Sequence, residues 1–476
     1  VIGGFHIWPM LRIHISNRII LASLDISSVG KKNLINKQLN EAAQIVGGQF
    51  KTQYIKLKDR NKNQSISQPA DLMFLGSQIT KIKINNYWYD RFADPIVDKF
   101  SEYGFTAKKI DWSYNYRIPR YNPSVMIQGK LDMLKITSYI SNMSNDFSKL
   151  KGFHNLIDDI NTKHSLGINI KTINRNVETI NIYTKWFERI IKNTKAKLAF
   201  LVCYYNLEGM AFCLACRKCG ISSIEIQHGV QGDQHRAYGR WNQVPKSGYE
   251  LLPSSFWCWS DHEVDAINSW SSAIYPHHQA FVGGHPWLDA FDESTFHKAH
   301  RTSYDTFIKV LESYDVKGLI SLSGFKEYGG RIEDWVINYI RNSPQEWLWL
   351  IRVHPNEHSE IPKINDILLS EGIYNYEITL SSSLPLPLVL KYVDFNVTAY
   401  SSTAIEASML KVSTIFTDEK GSKYFTNQIP GNYIYTAYDY HALEKSITEI
   451  LNKPKYLGKH QAKLSNTVKM LIEKLE

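Results

Sequence analysis

From about residue 197 onward the chain alternates short apolar runs with amphipathic stretches, and this alternation limits the fold more than any other feature. Strand-like "KLAFLVCYY" (197–205) leads into a helical segment at 207–218 and then "SSIEIQ" (222–227). "SSFWCWS" (254–260) is followed by a helical 261–270 and by "QAFVGG" (279–284). The rhythm resumes with a strand at 316–323, a helix at 331–343, strands at 346–355 and 377–382, and a helix at 385–393. A strand at 395–400, a helix at 402–410 and a strand at 412–418 close the series. Strands separated by helices of this length imply parallel sheets with right-handed crossovers. A chain of 476 residues is also too long for one compact core.

The expected fold class is therefore α/β, with two Rossmann-like domains whose parallel sheets face each other across a cleft. The Pro- and Gly-containing stretch 242–253 places the break, giving residues 1–245 and 246–476, with a helical insertion near 130–194 in the first domain. Earlier in the chain, 18–24 and 71–76 read as buried strands, 59–68 as a loop, and 81–105 as a strand running into an amphipathic helix. Ligands in such folds bind at the carboxyl ends of the strands.

Composition removes several alternatives. Hydrophobic residues make up 43% and charged residues 21%, an ordinary globular balance. The longest apolar run, 198–205, is far too short to span a bilayer. A formal charge of +9 suits anionic partners: nucleotide phosphates, acidic glycans or an anionic membrane surface. There is no long Lys/Arg block and no nucleic-acid module signature, so nucleic acid is not an expected partner. The 28 Tyr and 12 Trp suit stacking on sugars, and equally suit the boundary between core and water. Neither G-x-G-x-x-G nor G-x-x-x-x-G-K-[ST] occurs, so dinucleotide and P-loop readings lack their fingerprints.

Three of the five cysteines, Cys213, Cys216 and Cys219, form C-x2-C-x2-C. On a helix this spacing rotates them apart, and no distant Cys/His cluster completes a tetrahedral site. They read as small buried or boundary residues in a reducing cytoplasm, with no metal and no cofactor expected. No signal peptide is visible, so a cytoplasmic location is expected, with room for peripheral contact at the inner face of the membrane. A chain that begins at Val1 reads as an excised piece, one module of a larger multidomain protein.

Four strand ends carry unusual polar residues: Gln227-His228-Gly229, Gly283-Gly284-His285-Pro286, Arg352-Val353-His354-Pro355 and Tyr400-Ser401-Ser402-Thr403. One such end means little, but four on a parallel-sheet pattern point to one shared cleft. Ser401, Ser402 or Thr403 caps the following helix, and Glu406 completes a capping box. Free N–H groups and hydroxyls there are either a plain cap or an anion site. Pro355 keeps His354 out of a helix, where its imidazole can donate to a phosphate oxygen, while Arg352 either joins it or forms a structural ion pair. His228, Asp233 and His235 read as sugar-positioning and acid–base groups, with a metal-ligating set as the alternative. In "YWYDRFADP" (87–95), Asp90 could bind an acceptor or act as base, whereas Asp94 before Pro95 equally suits a helix cap.

In this order an HG strand end, "GGHPWLDAF", an "R-x-HP" strand end and an "SS-x-x-x-E" helix start resemble bacterial GT-B glycosyltransferases of surface polysaccharide synthesis. The style is that of CDP-glycerol glycerophosphotransferases, HP-motif sialyltransferases and capsule or O-antigen Kdo transferases, over residues 197–425. The resemblance implies a metal-independent glycosyltransferase with a CMP- or CDP-type activated donor. It implies donor phosphates lying against His354, Ser401 and Ser402, and a ribose at Glu406. Gln227, Gly229, Gly284, Arg352, Pro355 and Thr403 fall in the same donor motifs. Glu208 in "NLEG" partly echoes a sialyltransferase base motif. The acceptor implied is a glycan or lipid-linked glycan. Three other functions share the layout: a teichoic-acid-type polyol-phosphate transferase, a non-hydrolysing nucleotide-sugar epimerase that needs convergent carboxylates, and a non-catalytic nucleotide-sugar-binding protein.

Overall fold

The computed structural model describes residues 1–23, 66, 68–84, 87–113, 119–140, 145, 147–271, 277–291, 293–323, 331–454 and 463–475. The expected loop at 59–68 lies almost wholly outside these residues. Two units emerge: Val1–Trp287 with Lys463–Glu476, and Leu288–Ala462.

The first unit is built on a seven-stranded sheet, every neighbouring pair parallel. Its strands are β1 (Leu72–Ser77), β4 (Ala107–Trp112), β5 (Ser124–Met126), β6 (Leu198–Leu201), β7 (Ser222–Ile226), β8 (Ser255–Cys258) and β9 (Gln279–Val282), in the order β5-β4-β1-β6-β7-β8-β9. An antiparallel pair, β2 (Lys81–Ile84) and β3 (Tyr87–Asp90), comes after the carboxyl end of β1. β1 and β6 are buried along their whole length, as continuous apolar runs in a two-sided sheet must be.

The second unit has a six-stranded parallel sheet: β10 (Val316–Ser321), β11 (Trp347–Arg352), β12 (Tyr376–Glu377), β13 (Phe395–Thr398), β14 (Ser413–Phe416) and β15 (Ile434–Thr436). Its order is β12-β11-β10-β13-β14-β15. Consecutive strand residues enter different cores: Leu319 and Leu350 pack with Phe307, Leu388 and Leu390, whereas Ile320 and Ile351 pack with Val336, Ile340 and Leu443. Period-two alternation thus serves two helical layers, one on each face. The expected α/β architecture is what forms.

Three expectations are corrected. The boundary does not fall at 245, because β8 and β9 extend the first sheet and the first unit runs to Trp287 before reclaiming 463–476. The "VPKSG" stretch is instead part of a long connection between β7 and β8 within one sheet. Residues 18–23 are not a strand but the end of the helix Trp8–Ser23, with residue 24 undescribed. The Ile-rich run suggests burial, yet Ile19 and Ile20 are each 47% exposed, and Met10, Leu11 and Ile13 anchor the helix to the core. Finally, 377–382 is mostly helical, because the Glu377 carboxylate accepts the N–H groups of Leu380 (2.5 Å) and Ser381 (2.6 Å) and starts the helix Thr379–Ser383.

Elsewhere the helix Leu207–Lys218 sits where the pattern puts it, begun by the Asn206 side chain accepting the Gly209 N–H at 2.6 Å. Gly220 comes just after it at φ +73°. Cys213 and Cys216 are buried in this helix and all five thiols are free. Burial pushes the Cys213 and Cys216 thiols well above their ordinary range. Among the described residues no three His, Cys, Asp or Glu side chains gather as a metal would need, and no helix is long and apolar enough to cross a membrane.

Candidate active site

The carboxyl edge of the first sheet holds a cluster of aromatic and imidazole rings. β6 ends in a turn in which Cys203 takes φ +66°, an uncommon conformation for a residue with a side chain. That turn aims Tyr205 at the end of β7, where its hydroxyl lies 3.3 Å from His228 Nε2 and the two rings stack at 6.1 Å. His235 completes the group, 5.5 Å from the Tyr205 ring and 4.7 Å from that of Tyr238.

Burial, with a further push from Arg91, brings the His228 imidazole down to about 4. Burial holds the Tyr205 phenol far above its usual range. At neutral pH His228 is therefore uncharged and Tyr205 keeps its proton. Tyr205 O–H can then donate to His228 Nε2, leaving the imidazole proton on Nδ1. That lone pair, on Nε2, becomes available to an incoming hydroxyl when the Tyr205 O–H turns away from it, and a half-buried neutral imidazole with such a lone pair has the chemical profile of a general base.

The neighbours of His228 divide into those that join the cluster and those that support it. His235 is brought down to about 3 by burial and by His228, and its Nδ1 accepts the Ala237 N–H at 3.2 Å, so it is a satisfied wall residue. Asp233 sits exposed on the turn, its backbone packed against Gly239, and no described hydrogen bond carries its carboxylate to the histidines. Gln227 is fully buried: its oxygen accepts the Trp259 N–H at 2.6 Å and its amide donates to the Gly229 carbonyl at 2.9 Å. It ties the ends of β7 and β8 together. Glu208 lies half-buried in the first turn of its helix; burial raises its carboxyl, and its charged neighbours are Lys135 and Asp132.

Beneath the cluster lies Glu225, a residue that sequence reasoning passes over as the polar half of an alternating strand. It is 0% exposed, accepts the Tyr204 N–H at 3.1 Å and the Tyr238 hydroxyl at 2.8 Å, and burial drives it up to about 8. Alternation in a sheet covered on both faces does not mark a solvent side.

Asp90 lies in a buried network of ion pairs. Lys81 Nζ reaches Asp90 at 3.1 Å and Asp111 at 2.8 Å, Arg120 reaches Asp111 at 3.3 Å, and Lys109 pairs with Asp94, all of them buried. Burial alone would raise the Asp90 carboxyl, but Lys81 and Lys109 hold it below the usual carboxylate range. Its other oxygen accepts the N–H groups of Phe92 (3.2 Å) and Ala93 (3.1 Å), so Asp90 rather than Asp94 caps the helix Ala93–Ser101. Asp94 bonds back to the Asp90 N–H at 2.7 Å.

The third strand end, after β9, is shaped by tryptophans. Trp257 Nε1 donates to the Gly284 carbonyl at 2.9 Å, with Gly284 at φ +79°, and His285 stacks on Trp259 at 4.1 Å. A Cβ on Gly283 would overlap the fully buried Trp257 ring. Gly283→Ala should therefore lower stability by about 1–3 kcal/mol, read as a shift of the urea midpoint without loss of slope.

The second unit carries the remaining residues at its own carboxyl edge. Arg352 donates to the carbonyls of Ser381 (2.5 Å) and Leu384 (2.9 Å), which ties down the chain beyond β12. His354 is half-buried just past β11, and Pro355 opens a 3-10 turn. Ser401, not Ser402, makes the cap: its oxygen accepts the Thr403 N–H at 3.3 Å and its hydroxyl faces that of Thr403 at 3.1 Å. Ser402 makes no side-chain cap, and Glu406 is half-buried one turn in. Beside them is a small pocket between β10, β13 and the helix Asp334–Asn342, lined by Ser321, Ser323, Arg331, Glu333, Thr398 and Thr417. None of these six stands out in sequence, being ordinary polar residues on different elements.

Comparison with known proteins places the architecture. No protein-family model and no curated protein sequence matches the chain. Solved structures do. UDP-GlcNAc 2-epimerase from Neisseria meningitidis, bound to UDP-GlcNAc, superposes with a TM-score of 0.53 at 14% identity, over 85% of this chain and 98% of that one. The Methanocaldococcus jannaschii UDP-GlcNAc 2-epimerase in complex with UDP-GlcNAc and UDP gives 0.52 at 12%, over 85% and 99%. Two parallel-sheet units and these likenesses define a GT-B fold.

Proposed function

We propose that the chain is a metal-independent glycosyltransferase that uses a nucleotide-activated sugar, with His228 as the general base on the acceptor hydroxyl. The observation that supports this most is the neutral His228 imidazole at the carboxyl edge of the first sheet, its Nε2 held 3.3 Å from the Tyr205 hydroxyl. Deprotonating the incoming hydroxyl is what a displacement at an activated sugar carbon requires, and a neutral imidazole can accept that proton. In the second unit the Ser401–Thr403 turn and His354 supply donors for the departing phosphates. The motif resemblance favours a CMP- or CDP-linked donor and a surface-polysaccharide acceptor in the bacterial cytoplasm.

The epimerase alternative has the same fold but asks for convergent carboxylates. In the first unit Asp90, Asp94 and Asp111 are occupied by Lys81, Lys109 and Arg120, and Asp233 stands apart, which favours the transferase. The deciding assay incubates the protein with CMP-, CDP- and UDP-sugars in excess EDTA, with and without oligosaccharide acceptors. Acceptor-dependent nucleotide release is expected. Interconversion of UDP-GlcNAc with its C2 epimer, without release, would replace this reading with the epimerase one. His354→Ala and Ser401→Ala should each weaken nucleotide binding about tenfold, the worth of one charge-assisted hydrogen bond, as read by calorimetry.

A further inference from the structure

The first unit holds a cavity of about 490 Å³ lined by Trp8, Arg12, Arg240, Asn242, Gln243 and Tyr249. That volume lies within the roughly 300–1,000 Å³ of small-ligand sites. Two elements form it. The start of the helix Trp8–Ser23 brings Trp8, 40% exposed, and Arg12 one turn on, while the connection between β7 and β8 brings the other four. Arg12 fastens the two together: its guanidinium lies 4.3 Å from the centre of the Trp241 ring, and Nη2 donates to the Gly239 carbonyl at 2.6 Å.

The connection is shaped to present side chains. Arg240 and Gln243 take left-handed backbone conformations, φ +55° and +52°, which are uncommon for residues with side chains and cluster at ligand-binding turns. Between them Trp241 turns inward, 3% exposed, packs against Tyr249 at 5.3 Å and Trp270 at 6.0 Å, and donates to the Ala237 carbonyl at 3.2 Å. That anchor leaves Arg240, Asn242 and Gln243 exposed at the cavity, their side chains without a hydrogen bond or ion pair to the described residues. Arg12 likewise has no ion pair among the described residues, and no carboxylate is among the residues lining the cavity. Glu250, next to Tyr249, is held by His6, whose N–H it accepts at 3.0 Å and whose Nδ1 lies 2.9 Å away. The helix carries no acidic residue in its first turn, so its amino-terminal dipole also favours an anion.

We propose that this cavity binds an acidic oligosaccharide. Two guanidiniums suit the carboxylates of such a chain, the Trp8 ring offers an apolar face to a pyranose, and the amides of Asn242 and Gln243 can both donate to and accept from hydroxyls. Amides set in a concave wall fit a sugar chain better than the flat surface of a membrane. That the ligand is the anionic stretch of an acceptor rests on the transferase reading above. The segment Tyr238–Arg240 joins the two places, since Arg240 lines the cavity and the Tyr238 ring stands 4.7 Å from that of His235.

Calorimetry on the full chain tests this with four probes: a hexasaccharide of alternating glucuronic acid and N-acetylglucosamine, the same hexasaccharide with its carboxylates reduced, CDP, and vesicles rich in phosphatidylglycerol. The acidic hexasaccharide should bind about tenfold or more tightly than the reduced one. Arg240→Gln should erase that preference, and Trp8→Ala should weaken both hexasaccharides alike, with CDP affinity unchanged in each. Gln243→Gly suits the left-handed backbone and should weaken hexasaccharide binding without lowering the unfolding midpoint, which separates loss of the site from loss of the fold. Equal binding of the two hexasaccharides would overturn the proposal. So would vesicle binding that Arg240→Gln abolishes in a protein without the acid preference, which would assign the cavity to a membrane surface. A fall in CDP affinity in these variants would overturn it too, giving the cavity to the nucleotide. Acid preference in a protein that shows no acceptor-dependent nucleotide release would leave this site standing and retire the transferase reading.

Discussion

His228→Ala is expected to lower turnover about 10²–10⁴-fold at saturating donor while changing donor affinity little, because a general base acts in the transition state. Tyr205→Phe should lose less, since it removes only the hydroxyl 3.3 Å from Nε2 and leaves the imidazole in place. The pH profile distinguishes a base from a wall residue. With the imidazole down at about 4, kcat/KM of the wild type should stay flat through neutrality and fall only as pH drops through about 4. An alanine variant that turns over normally would make this a structural histidine and remove the mechanism with it.

The second large effect is on stability. Lys81 is 0% exposed at its side chain and holds two carboxylates, Asp90 and Asp111. Lys81→Met leaves both without their shared cation and should cost about 3–5 kcal/mol, measured by urea unfolding of the whole chain. Lys81→Met combined with Asp90→Asn should recover part of that loss, since it removes the carboxylate left without its cation, keeps Asp111 paired with Arg120 and retains an oxygen to accept the Phe92 and Ala93 N–H groups. The sign of the pH dependence comes from Asp90, whose carboxyl is depressed in the folded state. Its contribution is fully present above the unfolded value of about 4 and is lost as pH falls below it. Glu225 acts in the opposite sense. Raised to about 8, it makes folding take up a proton, so its stability cost grows from about pH 4 to 8. Together these two groups place the best stability at about pH 4–5.

Much of the second sheet is legible in the sequence because buried parallel strands are written as largely apolar runs, as in "WLWLIR". His228 is legible for a different reason: a polar residue just past the end of a strand lies at that strand's carboxyl edge. What cannot be read is whatever depends on partners distant in sequence. Lys81 meets Asp111 thirty positions on, and nothing local distinguishes either from a surface charge. Asp90 therefore resembles a base until its partners are seen. Arg352 resembles a phosphate ligand, because the carbonyls it binds come from a turn that stands in place of an expected strand. The misplaced boundary has the same origin. Pro245 and Gly248 mark a loop truthfully, but composition does not say whether a loop joins two sheets or two strands of one.

The return of residues 463–476 to the first unit gives the molecule an order of assembly in time. On the ribosome the amino-terminal segment emerges first and can build its sheet, yet it lacks the helix Leu464–Glu473, which packs against the helix Ala93–Ser101. All of Leu288–Ala462 is translated in between and forms a unit without any residue beyond 462. The second unit therefore can finish before the first, although it begins later. At the several residues per second of translation, the nearly complete first unit waits for tens of seconds. During that interval the flank of Ala93–Ser101 is open to chaperones, and a nascent chain stalled just short of residue 463 would hold one finished unit and one unfinished one.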